Sequence, residues 1–445
     1  MRIPRYKGVV DAFAARIRGG QWPAGTRLPT HRRLAADEGI AVVTASRVYA
    51  ELEAMGLVSC EQGRGTFVRD LAAAPGEGVD HQSVAVDAID LSFNYPSVPG
   101  QADLLRHALR DLATTGDLDA LLRYLPQRGR THDRAAVARH LERRGLDVGR
   151  ERVLIVNGSQ QGLAVTAMAL FRPGDVIAVD AVTYPGFTML ARSLGLELSP
   201  LPVTDTGPDL RALERLCRQR PVRAVYAMPT MHNPLGWVLD ESQRTQLVSI
   251  AQRHGLTIIE DASYAYLAED APPPLATLAP ETTVYVSGLS KSIATGLRIG
   301  FVVAPVSLVP ALERAIRVTT YHTPAVTAAI ACRWLDDGTV DSLETQKRDD
   351  ARRRQSIARE VLTGLPCVGH PSSYFLWLPL AQEARPDRIA ASLARQRIAV
   401  ATAEPFATTP TAPRALRLAL GSVGLAELRT ALEAVRHEVD RDAYR

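Results

Sequence analysis

From about residue 150 onward, short apolar runs rich in Val and Ile recur between stretches of helical period. They are Val153–Val156, Val176–Val179, Val222–Ala227, Leu256–Ile259, Val284–Val286 and Ile299–Val303. Unbroken apolar runs of this length alternating with helices predict a mostly parallel sheet covered on both faces. The first 70 residues are patterned differently. Thr30 is a predicted N-cap for a short helix over His31–Asp37, which Gly39 breaks. A second helix is predicted over Val43–Met55, ending at Gly56. Its apolar face is Ala45, Val48, Tyr49, Leu52 and Met55, and its other face shows Thr44, Arg47 and Glu51. Two extended runs, Leu57–Ser59 and Thr66–Val68, then flank a Gly63-Arg64-Gly65 tip. Residues 70–88 are small and polar without any period, which predicts a flexible linker. The expected division is therefore a small domain over 1–69, a linker over 70–88 and a large domain over 89–445.

Composition excludes several classes. The chain has 445 residues, 46% of them hydrophobic and 22% charged, so it is not bulk-disordered, collagen-like or a disulfide-stapled mini-protein. No run of about 18 apolar residues is present, and the basic start is followed by no apolar signal segment, so no membrane contact is expected. The four cysteines are scattered without metal-ligand spacing; free thiols, no metal and a cytoplasmic location are expected. Charge is uneven. Residues 1–70 hold 11 Lys and Arg against 7 Asp and Glu, so they account for the whole formal net charge of +4. A small basic domain on a neutral body suits an anionic partner such as DNA. The basic side chains are almost all arginine: the three lysines are Lys7, Lys291 and Lys347.

The small domain has the order of a winged helix-turn-helix, in which the second helix enters the major groove and Arg64 on the wing faces a phosphate or minor groove. A helical cap with an ordinary hairpin fits the same pattern. In the large domain, Lys291 follows a predicted buried strand, at the end where open α/β sheets place ligands. A lysine there can form a Schiff base with an aldehyde cofactor. Asn157–Gly162 opens a helix, and helix starts bind phosphate. Asp261 can hold a pyridine nitrogen protonated, Tyr264 can donate to a phenolate, and Arg298 can pair a phosphate. Taken singly, each of these residues is more often structural than catalytic. There is no Walker loop and no His-Glu-x-x-His metal motif.

Together the motifs carry a resemblance. Trp22–Thr30, Arg32, Leu34, Ala35 and the Gly63-x-Gly65-Thr66-Phe67-Val68 wing resemble the GntR winged-helix family. That likeness implies double-stranded DNA as partner, with contacts at Arg27, Arg32, Thr44, Arg47, Arg64 and Gly65. Ala41 and Val42 stand where that family often carries Ser-Arg. Tyr124-Leu125-Pro126, Gly158–Gly162, Tyr184-Pro185, Asn233-Pro234-x-Gly236, Asp261-x-x-Tyr264, Ser290-Lys291 and Arg298-x-Gly300 resemble fold-type I aminotransferases. The resemblance implies pyridoxal 5'-phosphate (PLP) as cofactor and a multidomain chain, a small α+β head on a large α/β transferase fold. Lys291 would be the Schiff-base lysine and the one catalytic residue. Asp261 would pair the ring nitrogen, Asn233 and Tyr264 the phenolate oxygen, and Tyr184 would stack on the ring. Ser159, Gln160, Ser290 and Arg298 would hold the phosphate, joined by Tyr124 from the partner subunit of a homodimer. Arg417 matches the arginine that binds a substrate or effector carboxylate. Gly288 stands where relatives carry a hydroxyl on the phosphate. The fusion resembles the MocR family of bacterial regulators, together with the stretch Leu91–Pro96 and the run Asp119–Arg134. This implies a transcription regulator that senses PLP or an amino compound. The other readings are an active aminotransferase carrying a DNA-binding domain, and a dimerisation scaffold without cofactor.

Overall fold

A computed structural model describes residues 5–23, 25–55, 57–61, 65–68 and 88–443. The predicted linker therefore lies almost wholly outside the described residues. So do the expected helix end Gly56 and the wing residues Gly63 and Arg64.

The N-terminal unit has three helices, α1 (Arg5–Arg18), α2 (His31–Glu38) and α3 (Val42–Ala54), and a hairpin of β1 (Val58–Glu61) and β2 (Gly65–Val68). Thr30 caps α2 as expected, its hydroxyl accepting from the Arg33 amide at 3.3 Å, and Gly39 ends it in the left-handed region. Ala45, Val48, Tyr49 and Leu52 of α3 are buried, and Met55 packs on the rim. They close over Val10, Phe13 and Ile17 of α1, a helix that the hydrophobic pattern did not mark out.

The C-terminal unit holds two sheets. One is built from β3 (Ile89–Leu91), β11 (Phe375–Pro379), β12 (Ile398–Thr402) and β13 (Ala415–Ala419), in the order β11-β13-β12-β3. The larger one contains β4 (Val153–Val156), β5 (Val176–Asp180), β6 (Glu197–Leu201), β7 (Val222–Ala227), β8 (Thr257–Asp261), β9 (Thr283–Gly288) and β10 (Gly300–Val303). Its order is β4-β10-β9-β8-β7-β5-β6. The six predicted runs are six of these seven strands. All are parallel except β10, which runs antiparallel to both neighbours. Helices cover both faces, so β4, β5, β9 and β10 are buried along their whole length. The helix Thr339–Val361 runs between the two sheets' cores.

Helix α1 rests on the C-terminal unit. Lys7 Nζ donates to the Glu383 carbonyl at 2.8 Å, and Arg385 donates to the Lys7 carbonyl at 3.2 Å. Asp11 takes ion pairs from Arg385 and, at 3.2 Å, from Arg414. Glu51, expected on the exposed face of α3 with Thr44 and Arg47, instead lies 3.9 Å from Arg388 and is mostly covered. Its helical position faces the large unit, a surface that helical period within the small domain does not reveal. Among the described residues, no helix is long and apolar enough to cross a membrane.

Candidate functional site

One cavity of about 310 Å³ lies at the carboxyl ends of the parallel strands, between the two sheets. Its lining includes Ser159, Gln160, Tyr184, Asn233, Asp261, Tyr264, Ser290, Lys291, Arg298 and Arg417. All the expected cofactor and effector residues except Tyr124 thus share one space.

The sheet places them. Strand β8 ends at Asp261, which is buried. Asp261 Oδ1 accepts from the Ser263 amide at 3.0 Å and hydroxyl at 2.6 Å, and Oδ2 accepts from Tyr226 at 2.8 Å. Burial pushes the Asp261 pKa up, and these bonds pull it back. Tyr226 is held by stacking on Phe187, with ring centroids 3.9 Å apart. Lys291 stands three residues beyond β9, its Nζ donating to the Asn94 carbonyl at 2.9 Å. Arg298 adopts the left-handed region (φ 52°), a cost of order 1 kcal/mol for a non-glycine residue. Its guanidinium donates to Ser290 Oγ and to the Asn157 carbonyl, both at 3.2 Å, at the start of the helix Ser159–Leu170. The first turn of a helix leaves amides without intrahelical partners, so guanidinium, hydroxyls and amides converge on one anion subsite.

Two glycines show how closely this subsite is built. Gly158 has φ +80°, and a Cβ there would meet the Arg298 guanidinium at 2.7 Å. A Cβ on Gly288, the departure noted from the sequence, would lie 3.1 Å from the Ser159 amide nitrogen. The missing side chain lets the backbone of β9 close on the helix start.

At the opposite end, Arg417 on β13 is buried and donates to the Ser92 carbonyl at 2.8 Å. Phe375 and Phe406 flank its guanidinium at 5.5 and 5.7 Å. Tyr124 is elsewhere: 82% exposed, packed on Tyr321 with centroids 4.9 Å apart. Sequence reasoning missed Asn94, Tyr226 and Ser263. Asn94 did lie in the quoted stretch Leu91–Pro96; no local signal marked the other two.

The predicted DNA contacts lie on the small domain. Arg27, Arg32 and Arg47 are exposed and Thr44 is half-buried. The Arg27 guanidinium lies against Gly65, and that of Arg47 sits 4.6 Å over the Tyr6 ring. Val43, 82% exposed at the start of α3, was not anticipated as part of this surface.

Glu260 adjoins the site without entering it. It accepts from the Leu275 and Ala276 amides at 3.1 and 2.9 Å, and burial pushes its pKa from 4.5 up to about 7. The folded state then holds a proton that the unfolded state releases. The stability it contributes is full below about pH 4.5 and is lost as pH rises through about 7. Glu260→Gln should flatten the fall in melting temperature across that window, as measured by thermal denaturation at several pH values.

Residues 86–435 match the family "Aminotransferase class I and II", and residues 5–68 match "Bacterial regulatory proteins, gntR family". The chain is 27% identical over 439 residues to an uncharacterized HTH-type transcriptional regulator, YdeF, of Bacillus subtilis, covering 98% of this chain and 95% of that protein. It is 27% identical over 375 residues to the probable rhizopine catabolism regulatory protein MocR of Rhizobium meliloti, covering 76% and 72%. Among solved structures, the α-aminoadipate aminotransferase LysN of Thermus thermophilus superposes with a TM-score of 0.74 at 23% identity, covering 80% of this chain and 93% of that one.

The aminotransferase class I and II family implies PLP. In and beside the cavity, Asn94 Nδ2, Asn157 Oδ1, Gln160 Oε1, Asn233 Oδ1 and Arg417 Nε are buried without hydrogen-bond partners. Buried polar atoms left unpaired are costly, and a polar ligand removes that cost. An amine, a buried carboxylate and an anion subsite in one cavity are the donor set that PLP requires. The residues fit the cofactor.

Proposed function

Because this chain belongs to the class I and II aminotransferase family and carries a gntR-type head, as MocR-type regulators do, we propose that it regulates transcription by sensing PLP or an amino compound. PLP, when bound, supplies an electron sink and an aldehyde that captures amines. The protein's residues do the rest. Lys291 would hold the aldehyde end of the cofactor. Arg298, Ser290, Ser159 and Gln160 hold its phosphate. Asp261, oriented by Tyr226 and Ser263, keeps a proton on the ring nitrogen. Asn233 and Tyr264 hold the phenolate oxygen, Tyr184 stacks on the ring, and Arg417 receives an effector carboxylate.

One observation carries the regulatory reading. Arg417, within β13, lines the cavity, while Arg414, just before the same strand, pairs with Asp11 of the DNA-reading head. A ligand that moves β13 therefore moves the support of the head. Such a ligand changes DNA affinity only by its unequal affinity for two arrangements, commonly about 1–3 kcal/mol.

The reading includes a homodimer. Arg298 is exposed at the phosphate end, and Leu122, Tyr124 and Val318 are 86%, 82% and 72% exposed. Large exposed apolar side chains in a cluster mark an interface. A second copy would cover them and bring its Tyr124 to this phosphate subsite. Two heads per dimer then read paired half-sites.

The test is binding to the DNA upstream of the protein's own gene, followed by fluorescence anisotropy. Arg32→Ala and Arg47→Ala should each weaken it by about 1–3 kcal/mol, or reduce the salt slope by about 1 where the contact is to phosphate. Unchanged binding in both variants would remove the assigned DNA face. A second reading, an active aminotransferase, is favoured by the joint presence of Lys291, Asp261 and Arg417. Sustained turnover of an amino acid with 2-oxoglutarate would support it.

A further inference from the structure

Of the chain's three lysines, Lys347 belongs to none of the assignments above. It lies on the helix Thr339–Val361 and is fully buried. Its Nζ donates to the Ile293 carbonyl at 2.6 Å and to the Lys291 carbonyl at 3.1 Å. Tyr266 donates to that same Lys291 carbonyl at 2.9 Å. On the same helix face, seven residues on, Arg354 donates to the Leu420 and Val423 carbonyls, both at 2.6 Å. Gln355 beside it donates to the Ser373 and Phe375 carbonyls at 3.0 and 2.9 Å. One helix thus grips the turn that carries Lys291, the start of β11 and the segment that follows β13, the strand of Arg417.

Holding a lysine there is expensive. Burial pushes its pKa from 10.5 down to about 7, with Lys291 adding to the fall and Glu344 and Asp350 opposing it. The other groups facing this place are Arg144, ion-paired with Glu344, and the hydroxyls of Tyr266 and Tyr374, the latter donating to the Lys347 carbonyl at 2.9 Å. An unbranched apolar residue would fill the same volume and avoid the cost, but would leave two buried carbonyls without these donors.

We propose that Lys347 is a positioning residue for Lys291: it fixes the 291–293 turn so that the Lys291 amine is presented to the cofactor, and ties that turn to the Arg417 sheet. The proposal deepens the reading above and rests on PLP capture by Lys291.

A double-mutant cycle in the full-length protein tests it, with PLP affinity read by titration of intrinsic fluorescence and the visible band. Lys347→Met should weaken PLP binding at least tenfold when Lys291 is present. In a Lys291→Ala background the same change should matter less than twofold, because only contacts independent of Lys291 remain. A general structural role predicts equal losses in both backgrounds, and that result, or no loss in either, overturns the proposal. Should Lys347→Met fail to fold, Tyr266→Phe removes the other donor to the Lys291 carbonyl and enters the same cycle. Absence of any Lys291-dependent PLP uptake by the unmutated chain would defeat the cofactor reading itself, a result distinct from equal losses.

Discussion

Lys291→Ala protein mixed with PLP is expected to show no lysine-dependent visible band at any PLP concentration. Neither of the other two lysines is placed to substitute. Lys7 is bound to the Glu383 carbonyl at the junction of the two units, and Lys347 is fully buried behind the turn. The charged contacts that would survive are those proposed for Arg298 with the phosphate and Asp261 with the ring. Charge-assisted bonds contribute about 1.5–3 kcal/mol each, so the variant should retain a grip only near the millimolar range. Absorption spectra of the two proteins, recorded side by side through a PLP titration, check both parts. A band of equal strength in the variant would reassign the anchor.

The second large effect is expected at the junction between head and body. Asp11 receives both Arg385 and Arg414, and Arg385 is nearly covered. Asp11→Arg replaces two attractions by two repulsions and leaves the Arg385 charge buried beside the Lys7 carbonyl. Breaking a covered pair by removing one partner costs about 3–5 kcal/mol, and the half-exposed Asp11 argues for the lower end. The head should then leave its seat. Small-angle scattering should record a larger radius of gyration, and proteases should cut within residues 69–87 faster. DNA binding itself should persist, because Arg27, Arg32 and Thr44 do not share the contact, while its response to ligand should be lost. An Asp11→Arg protein with unchanged scattering and unchanged ligand response would show that the junction transmits nothing.

Much of this is readable from local pattern. Val153–Val156 and Val222–Ala227 are strands with the bounds the apolar runs predict, because a strand covered on both faces has few polar positions to blur it. The cap at Thr30 and the break at Gly39 follow from side-chain and backbone chemistry within a few residues. The scarcity of lysine leaves three candidates, and the place of Lys291 just after a predicted buried strand singles it out. What escapes depends on contacts distant in sequence. The apolar run of β10 predicts a strand but carries no information on direction. Glu197–Leu201 lacks an apolar run because β6 is an edge strand with two exposed positions. Strand β3 pairs with β12 some 300 residues away. Tyr226 reads as one more apolar position of β7; only the pairing of β7 with β8 brings its hydroxyl to Asp261. Glu51 looks solvent-facing until the large unit is placed beside α3.

If chemistry at Lys291 sets DNA affinity, the dissociation constant for the upstream DNA responds to PLP, or to PLP plus one of a panel of amino compounds, in the unmutated chain and not in Lys291→Ala. A change of roughly 5- to 150-fold is expected in the unmutated chain for PLP or for one amine, and none in Lys291→Ala. Identical dissociation constants under every condition in the unmutated chain would contradict it.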